Sequence, residues 1–299
     1  MHVLVTGSSG LIGTALIPQL ATAGHRATRL VRREAAQGEV AWDPQAGKLD
    51  AHALAGADAV VHLAGEDIAA ARWTAAQKQR IRDSRVAGTR LLCEALARMS
   101  CPPRVLVSAS AIGIYGDRGN EWLDEDSVAG QGFLAGVVRA WEAATEPAVR
   151  AGIRVVLLRF GVVLSPRGGA LARMLLPFRL GAGGPMGGGR QYWSWISLED
   201  AVGAILFALA TETLSGPANA VSPRPVTNAE FAKVLGKVLG RPAIVPLPAL
   251  ALRLALGELA DALLLASARV RPSRLLAAGY DFRWPDLELA LRHLVRQPP

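Results

Sequence analysis

The chain opens on a short apolar run, Val3 to Val5, that ends in a glycine-rich turn spanning Gly7 to Gly13. Apolar residues then recur at helical spacing, at Leu11, Ile12, Ala15, Leu16 and Leu20. A short apolar run bounded by turn residues reads as a buried strand, and recurrence every three or four residues reads as a helix. The same alternation continues. Ala27 to Val31 forms a second strand that ends at Arg32 and Arg33, and the stretch from Gly38 to Asp50 is an edge excursion in which Val40 and Trp42 alternate. Asp58 to Leu63 is a buried strand running into the small-residue turn Ala64-Gly65-Glu66. Trp73 to Met99 carries helical periodicity, at Ile81, Val86, Leu91, Leu92 and Leu96. Val105 to Val107 is the fourth strand and ends at Ser108-Ala109-Ser110; a helix over Val128 to Arg150 and a fifth strand, Val155 to Leu158, follow. Short apolar strands alternating with helices predict a parallel, doubly wound α/β sheet.

After the fifth strand the character changes. Gly181 to Gly189 is glycine-rich, and the aromatic run Gln191 to Ser197 is either a loop or strand over a pocket mouth or a packed strand. Leu198 to Ala210 is helical, with Glu199 and Asp200 at its start, where carboxylates suit the helix dipole. Thr227-Asn228-Ala229-Glu230 is a capping signature for a helix to Leu239. Further helices are predicted over Leu247 to Ala268 and Asp286 to Leu294. The expectation is a Rossmann-type α/β domain over residues 1–165, its core also receiving part of 190–222, with a smaller, mainly helical substrate-side region over 166–299.

Composition narrows the function. With 299 residues, 51% hydrophobic, the chain can bury a sizeable core. Its two cysteines, Cys93 and Cys101, have no metal-ligand or disulfide spacing, so a reducing cytoplasm and no metal are expected. The most apolar stretch, Val245 to Val270, carries Arg253, Glu258, Asp261 and Arg269, a poor membrane span. A strand that starts at residue 2 suggests no leader peptide. The net charge of +8 comes from scattered arginines, without an aromatic-interleaved basic block, so no nucleic-acid partner is expected. The expected assembly is a monomer or homodimer acting on a small molecule.

The chemistry gathers at the first turn. Three glycines spaced G-x-x-G-x-x-G between a strand and a helix match a dinucleotide fingerprint. Gly7 permits the tight turn, Gly10 lets backbone approach a pyrophosphate, and Gly13 lets the helix pack on the strand. Ser9 and Leu11 lie in the same turn, Gly65 in the next, and Ser108 at the fourth strand's end, so all four are candidate cofactor contacts. Where a carboxylate would hold an NAD ribose, this chain has Arg32 and Arg33, whose guanidinium forks suit the 2′-phosphate of NADP(H).

Several stretches resemble the extended short-chain dehydrogenase/reductases, the branch that includes nucleotide-sugar epimerases. They are V-T-G-S-S-G-L-I-G at 5–13, H-L-A-G-E at 62–66, S-A-S-A-I-G-I-Y-G at 108–116 and R-F-G-V-V-L at 159–164. More narrowly, D-S-R-V-A-G-T at 83–89, the glycine-rich segment at 174–189, W-I-S-L-E-D at 195–200 and P-V-T-N-A-E-F at 225–231 resemble the epimerase-like family 39U. The resemblance implies cofactor contacts from Gly7, Gly10, Ile12, Gly13, Arg32, Arg33, Leu63, Ala64, Arg85 and Val163. It also exposes a departure. The superfamily's proton-transfer pair is a tyrosine and a lysine four residues on, whereas Tyr115, Tyr192 and Tyr280 are followed at that spacing by Gly119, Ile196 and Trp284. The best-matching slots hold Phe133 and Val137. His62 stands where the family more usually has asparagine, and reads as a structural histidine near the cofactor. The polar groups left for catalysis are Ser110, Tyr115 and Glu142. The expected function is an NADP(H)-binding, epimerase-like oxidoreductase without the usual Tyr-x-x-x-Lys pair, and the alternative is a non-catalytic NADP(H)-responsive regulator.

Overall fold

The computed structural model describes residues 1–296. Its first half builds most of one sheet. Strand β1 (His2–Thr6) leads to helix α1 (Leu11–Thr22), then β2 (Arg26–Val31), β3 (Glu39–Asp43) and β4 (Lys48–Leu49). The chain returns to β1's other side as β5 (Ala59–His62), runs through α2 (Ala75–Ala97) and adds β6 (Val105–Ala111). A two-residue strand β7 (Trp122–Leu123), helices α3 (Phe133–Ala143) and α4 (Glu146–Arg150), and β8 (Arg154–Phe160) follow. The second half holds β9 (Val162–Leu164), α5 (Gly169–Arg179), β10 (Tyr192–Trp193), β11 (Trp195–Ser197), α6 (Leu198–Ala210), β12 (Gly216–Ala220), β13 (Val226–Thr227), α7 (Asn228–Leu239), α8 (Ala249–Leu256), β14 (Arg269–Val270), α9 (Ser273–Ala277) and α10 (Leu287–Arg296).

The main sheet has the order β12-β8-β6-β5-β1-β2-β3-β4, parallel throughout except for the antiparallel edge pair β3–β4. The chain builds outward from β1 in one direction and then, from β5, in the other. That reversal creates a crevice at the strand ends between β1 and β5, where doubly wound sheets bind ligands. Both faces of the sheet are covered, as its continuous apolar strands require. Val3, Val5, Val61 and Val107 lie on the side of α1 and α6, while Leu4, Val60 and Leu106 join Leu92 and Leu96 of α2 on the other. Each such side chain contributes about 1.5–3 kcal/mol by leaving water.

The capping signature at Thr227 forms as read, and Ser197, which the sequence reading did not name, caps α6 in the same way. Thr227 accepts from the Glu230 amide to start α7, and Ser197 accepts from the Asp200 amide to start α6. Two expected helices change. The helix expected over Val128 to Arg150 begins only at Phe133 and breaks between α3 and α4, because Val128 to Gly132 pass as loop and the carbonyl of Val128 instead accepts from Arg118. The helix expected over Leu247 to Ala268 ends at Leu256, since Gly257 takes φ 64° and a π-helical turn, Ala260–Leu265, follows. The aromatic run is packed: Trp193 and Trp195 are buried with Phe178 of α5 and Phe231 of α7. Among the described residues, no helix is long and apolar enough to cross a membrane.

Candidate active site

The parallel register brings the ends of three strands level, Thr6 beside His62 and His62 beside Ser108. The turns that follow β1 and β5 touch. Gly7, at φ 66°, lies so close to the β5 turn that a Cβ there would come within 2.6 Å of the Leu63 carbonyl carbon. The Thr6 hydroxyl accepts from the Leu63 and Ala64 amides at 3.1 and 3.2 Å. A Cβ on Gly13 would meet the Gly7 carbonyl oxygen at 2.3 Å, so this glycine seats the helix on the turn. Gly10 differs: it is exposed, has ordinary extended angles (φ −77°, ψ 174°), and an added Cβ would meet only the Gly7 oxygen at 3.3 Å. No side chain caps α1 at Gly10, and its first turn has no acidic residue. Its leading N–H groups and the positive end of its dipole therefore face the crevice without an anion from the chain itself. A diphosphate fits that cradle.

The remaining candidates divide. Leu11, Ile12, Leu63 and Val163 are partly buried at the rim of the same core cluster, and Ser9 is exposed on the turn. A Cβ on Gly65 would lie 3.2 Å from the guanidinium carbon of Arg85, so Arg85 forms the wall behind this turn. Arg85 sits 5.2 Å from the Trp141 ring centroid and donates to the Ile81 carbonyl. Burial, only partly offset by Glu66 and Asp67, lowers its pKa to about 10. Arg32 and Arg33 end β2 in solvent. Arg33 is committed to Glu39 at 2.8 Å, and the Ala36 amide followed by Arg33 holds the Glu39 carboxyl below the usual range. Arg32 has no ion-pair partner among the described residues. Ser108 is a correction: it is wholly buried inside β6 and donates to the Ala109 carbonyl, so it does not reach the crevice.

The three catalytic candidates meet in one buried network centred on Arg159, a residue the sequence reading did not single out. Arg159 donates to both Glu142 oxygens at 2.8 and 2.9 Å, to the Tyr115 hydroxyl at 3.0 Å and to the Glu125 carbonyl at 3.3 Å. Burial opposes its charge, but the Glu142 hydrogen bonds and the neighbouring groups outweigh this and raise its pKa. Ser110 donates to Glu142 at 2.6 Å and Tyr115 donates to Asn219 at 2.8 Å. Tyr115 is fully enclosed, and burial raises its pKa, so it braces the network and is not placed to hand a proton to a substrate. Ser110, 3% exposed, is nearly as enclosed. The signal available in sequence was an arginine inside an apolar strand run, which needs a buried carboxylate partner.

The α3 positions that face β6 are not the Phe133 and Val137 slots expected from the sequence. Glu142 faces β6, so the residues one and two turns earlier on that side of α3 are Val138 and Leu134, and Leu134 is the side chain against Gly113. Phe133 turns instead toward Trp73, 5.1 Å between ring centroids. Leu134 and Val138, like Phe133 and Val137, have no proton to give.

His62 is sealed between two threonines, Nδ1 2.7 Å from the Thr6 hydroxyl and Nε2 2.8 Å from that of Thr89. Because Thr6 already accepts two amides, it gives its own hydrogen to Nδ1, which makes His62 a neutral Nε2–H imidazole. Burial lowers its pKa to about 4. The unfolded chain therefore takes up a proton here that the folded one refuses. The contribution is complete above about pH 6.5 and fades as pH falls toward 4. Between pH 7 and 5 the wild type is expected to lose about 2 kcal/mol more stability than His62→Asn, measured by urea unfolding. Equal losses would contradict a neutral buried imidazole.

Among the described residues, no group of three or more His, Cys, Asp or Glu side chains is arranged to hold a metal ion. A model described as the NAD dependent epimerase/dehydratase family matches residues 3–220, and a domain of unknown function, DUF1731, matches 247–294. Epimerase family protein Mb2239 of Mycobacterium bovis is 48% identical over 297 residues, covering 99% of this chain and 98% of that protein. Human epimerase family protein SDR39U1 is 40% identical over 298 residues, covering 99% and 100% of the two chains. A crystal structure of human SDR39U1 (isoform 2) with NADPH matches at TM-score 0.92 and 37% identity over 100% of both chains. A nucleoside-diphosphate sugar epimerase from Corynebacterium glutamicum matches at TM-score 0.82 and 40% identity over 99% of this chain and 58% of its own.

Proposed function

Because this chain belongs to the NAD dependent epimerase/dehydratase family and, within it, to the epimerase-like 39U group, we propose that it is an NADP(H)-dependent oxidoreductase acting on a small carbonyl or alcohol. The observation that carries the reading is the open cradle at Gly10, where uncapped helix amides and bare backbone await an anion. The NADPH bound to human SDR39U1 supports the same choice of cofactor.

When bound, the nicotinamide exchanges a hydride with a carbon of the substrate. The protein's part is to hold and orient. Gly7 and Gly10 admit the diphosphate, and the first amides of α1 bind it. Arg32 takes the 2′-phosphate, while Arg33, tied to Glu39, steadies the loop beside it. Leu63, Ala64 and Gly65 form the wall along which the cofactor lies, backed by Arg85. Ser9, Leu11, Ile12, Gly13 and Val163 complete the rim. Glu142, clamped by Arg159, fixes the Ser110 hydroxyl at the end of β6.

Two measurements test this. NADPH is expected to bind at least tenfold tighter than NADH by fluorescence titration, about 1.4 kcal/mol. Arg32→Ala should remove most of that preference and Arg33→Ala less of it, because Arg33 already has a carboxylate partner. Equal affinities for the two cofactors would overturn the assignment. Stopped-flow oxidation of bound NADPH against ketones, quinones and sugar nucleotides then reads the reaction. Tight NADPH binding with no oxidation by any compound would count against an enzyme.

A further inference from the structure

Strand alternation sends Arg269 and Arg271 to one side of the chain at β14 and the buried Val270 to the other. Across the strand pair, Arg269 is in register with Trp122 of β7. The Arg269 guanidinium lies 3.9 Å from the Trp122 ring centroid, and that of Arg271 lies 4.0 Å from it. Residues two apart on an extended chain are separated by about 6.7 Å, the room an indole needs between two flat groups. Trp122 is thus clasped between two cations. Arg269 is held in turn against Tyr192 of β10, 4.5 Å from its ring centroid. Tyr192 is fixed there because its amide donates to the Ser267 hydroxyl and its carbonyl accepts from the Ala268 amide. The result is a ladder in the order Arg271, Trp122, Arg269, Tyr192.

Stacking engages the face of a guanidinium and none of its N–H donors. Arg269 Nε is buried with no hydrogen-bond partner. Among the described residues, neither guanidinium donates a hydrogen bond or pairs with a carboxylate. Arg159 shows the usual solution, spending its donors on Glu142, Tyr115 and the Glu125 carbonyl. The carboxylates on the segment that carries Trp122 are engaged elsewhere: Glu121 with Arg118, Asp126 with Arg274, Asp124 with the Ser127 hydroxyl and Asp117 with the Ser267 amide. Glu125 is buried and accepts from the Asn219 and Arg274 amides. Two like charges therefore stand one indole apart with no anion of the chain to offset them. Trp122 is 39% exposed and Arg271 is exposed, so solvent reaches the ladder. It stands apart from the cofactor crevice. The Arg271 carbonyl accepts from Asn219 of β12, the outer strand of the sheet, and β5 lies three strands further in, about 14 Å at the spacing of neighbouring strands.

We propose that this ladder binds a phosphate dianion, either the free ion or the phosphoryl end of a monoester, bridged between the N–H edges of Arg269 and Arg271. A carboxylate has one charge and two oxygens, enough for one guanidinium fork. A phosphoryl dianion offers three acceptor oxygens, enough for both. Both faces of Trp122 and one face of Tyr192 are already covered, so the ladder presents donor edges for an anion and not a platform for a nucleobase.

The test reads the ladder directly. With arginine labelled at ¹⁵Nε, the buried Arg269 Nε–H is shielded from solvent exchange and gives its own signal, assigned by its loss in Arg269→Lys. Ions are added at constant ionic strength and above the second phosphate pKa of about 6. Inorganic phosphate and methyl phosphate are each expected to move the signal saturably, with dimethyl phosphate, acetate and chloride weaker by about tenfold or more. Arg271→Gln, at an exposed position, should weaken the phosphate response by about tenfold or more, and Arg32→Ala, at the cofactor cradle, should leave it unchanged. Calorimetric titration of the wild type and Arg271→Gln with the same ions reads the same difference. Saturation by inorganic phosphate alone would identify the free ion as the ligand, and saturation by both would identify a site open to esters. No saturable shift, equal affinity for acetate, or a response unchanged in Arg271→Gln would overturn the site.

Discussion

Gly10→Val is expected to leave the protein folded and to weaken NADPH binding at least 100-fold, about 2.8 kcal/mol. The backbone at Gly10 has angles that a β-branched residue accepts, and an added Cβ meets only one atom, the Gly7 oxygen at 3.3 Å. The isopropyl group would therefore cost the fold little, yet stand where a diphosphate must approach the helix amides. Gly13→Ala is the contrast. Its Cβ would sit 2.3 Å from the Gly7 oxygen and 2.7 Å from Ser8 Cα, so the turn must move and stability falls. Overpacking of this kind costs about 1–3 kcal/mol or more. Fluorescence titration and thermal melts separate the two effects. If folded Gly10→Val bound NADPH as the wild type does, the glycine turn would be a structural feature and nothing else.

Arg159→Met carries the largest expected loss of stability. It leaves Glu142 ionised with no counter-charge, in a pair whose side chains are only 7% and 13% exposed. It also removes a donor from Tyr115 and from the Glu125 carbonyl. Breaking one side of a buried pair typically costs about 3–5 kcal/mol, whereas removing both charges can be nearly neutral. Urea unfolding should therefore show a loss of about that size for Arg159→Met and recovery of much of it in the double variant with Glu142→Leu. A loss below about 1 kcal/mol in the single variant would show that water reaches the pair and screens it.

Much of this molecule was legible in its pattern of apolar residues. Strands such as Val3 to Val5 and Val105 to Val107 are buried on both faces, so they read as continuous runs, and the glycines between them mark where the crevice opens. What escaped the sequence depends on partners far along the chain. The strand pair formed by Trp122–Leu123 and Arg269–Val270 is two residues long on each side, too short to show a period. The break at Gly257 was hidden because Leu247 to Ala268 keeps a helical apolar spacing through it. Phe133 was placed in the slot of the superfamily's tyrosine by spacing alone; a one-residue error turns a helix by about 100°. Only the contact of Glu142 with Ser110 shows which face of α3 looks at β6. Arg159 stood in plain view among Val155, Val156, Leu157, Leu158 and Phe160, but its carboxylate, Glu142, lies on α3, with α4 between them in the chain.

Strand β12 has a consequence for how the protein is made. Its residues Gly216 to Ala220 seal the flank of β8, and Asn219 there accepts from Tyr115 and gives its own amide to Glu125. At roughly 5–20 residues per second, the ribosome needs seconds to deliver β12 after β8 has emerged. During that interval β8 is a naked sheet edge with unmatched N–H and C=O groups, the kind of template on which nascent chains stick to one another. A fragment ending near residue 165 is therefore expected to aggregate where the full-length chain does not, measured by light scattering of the two as expressed.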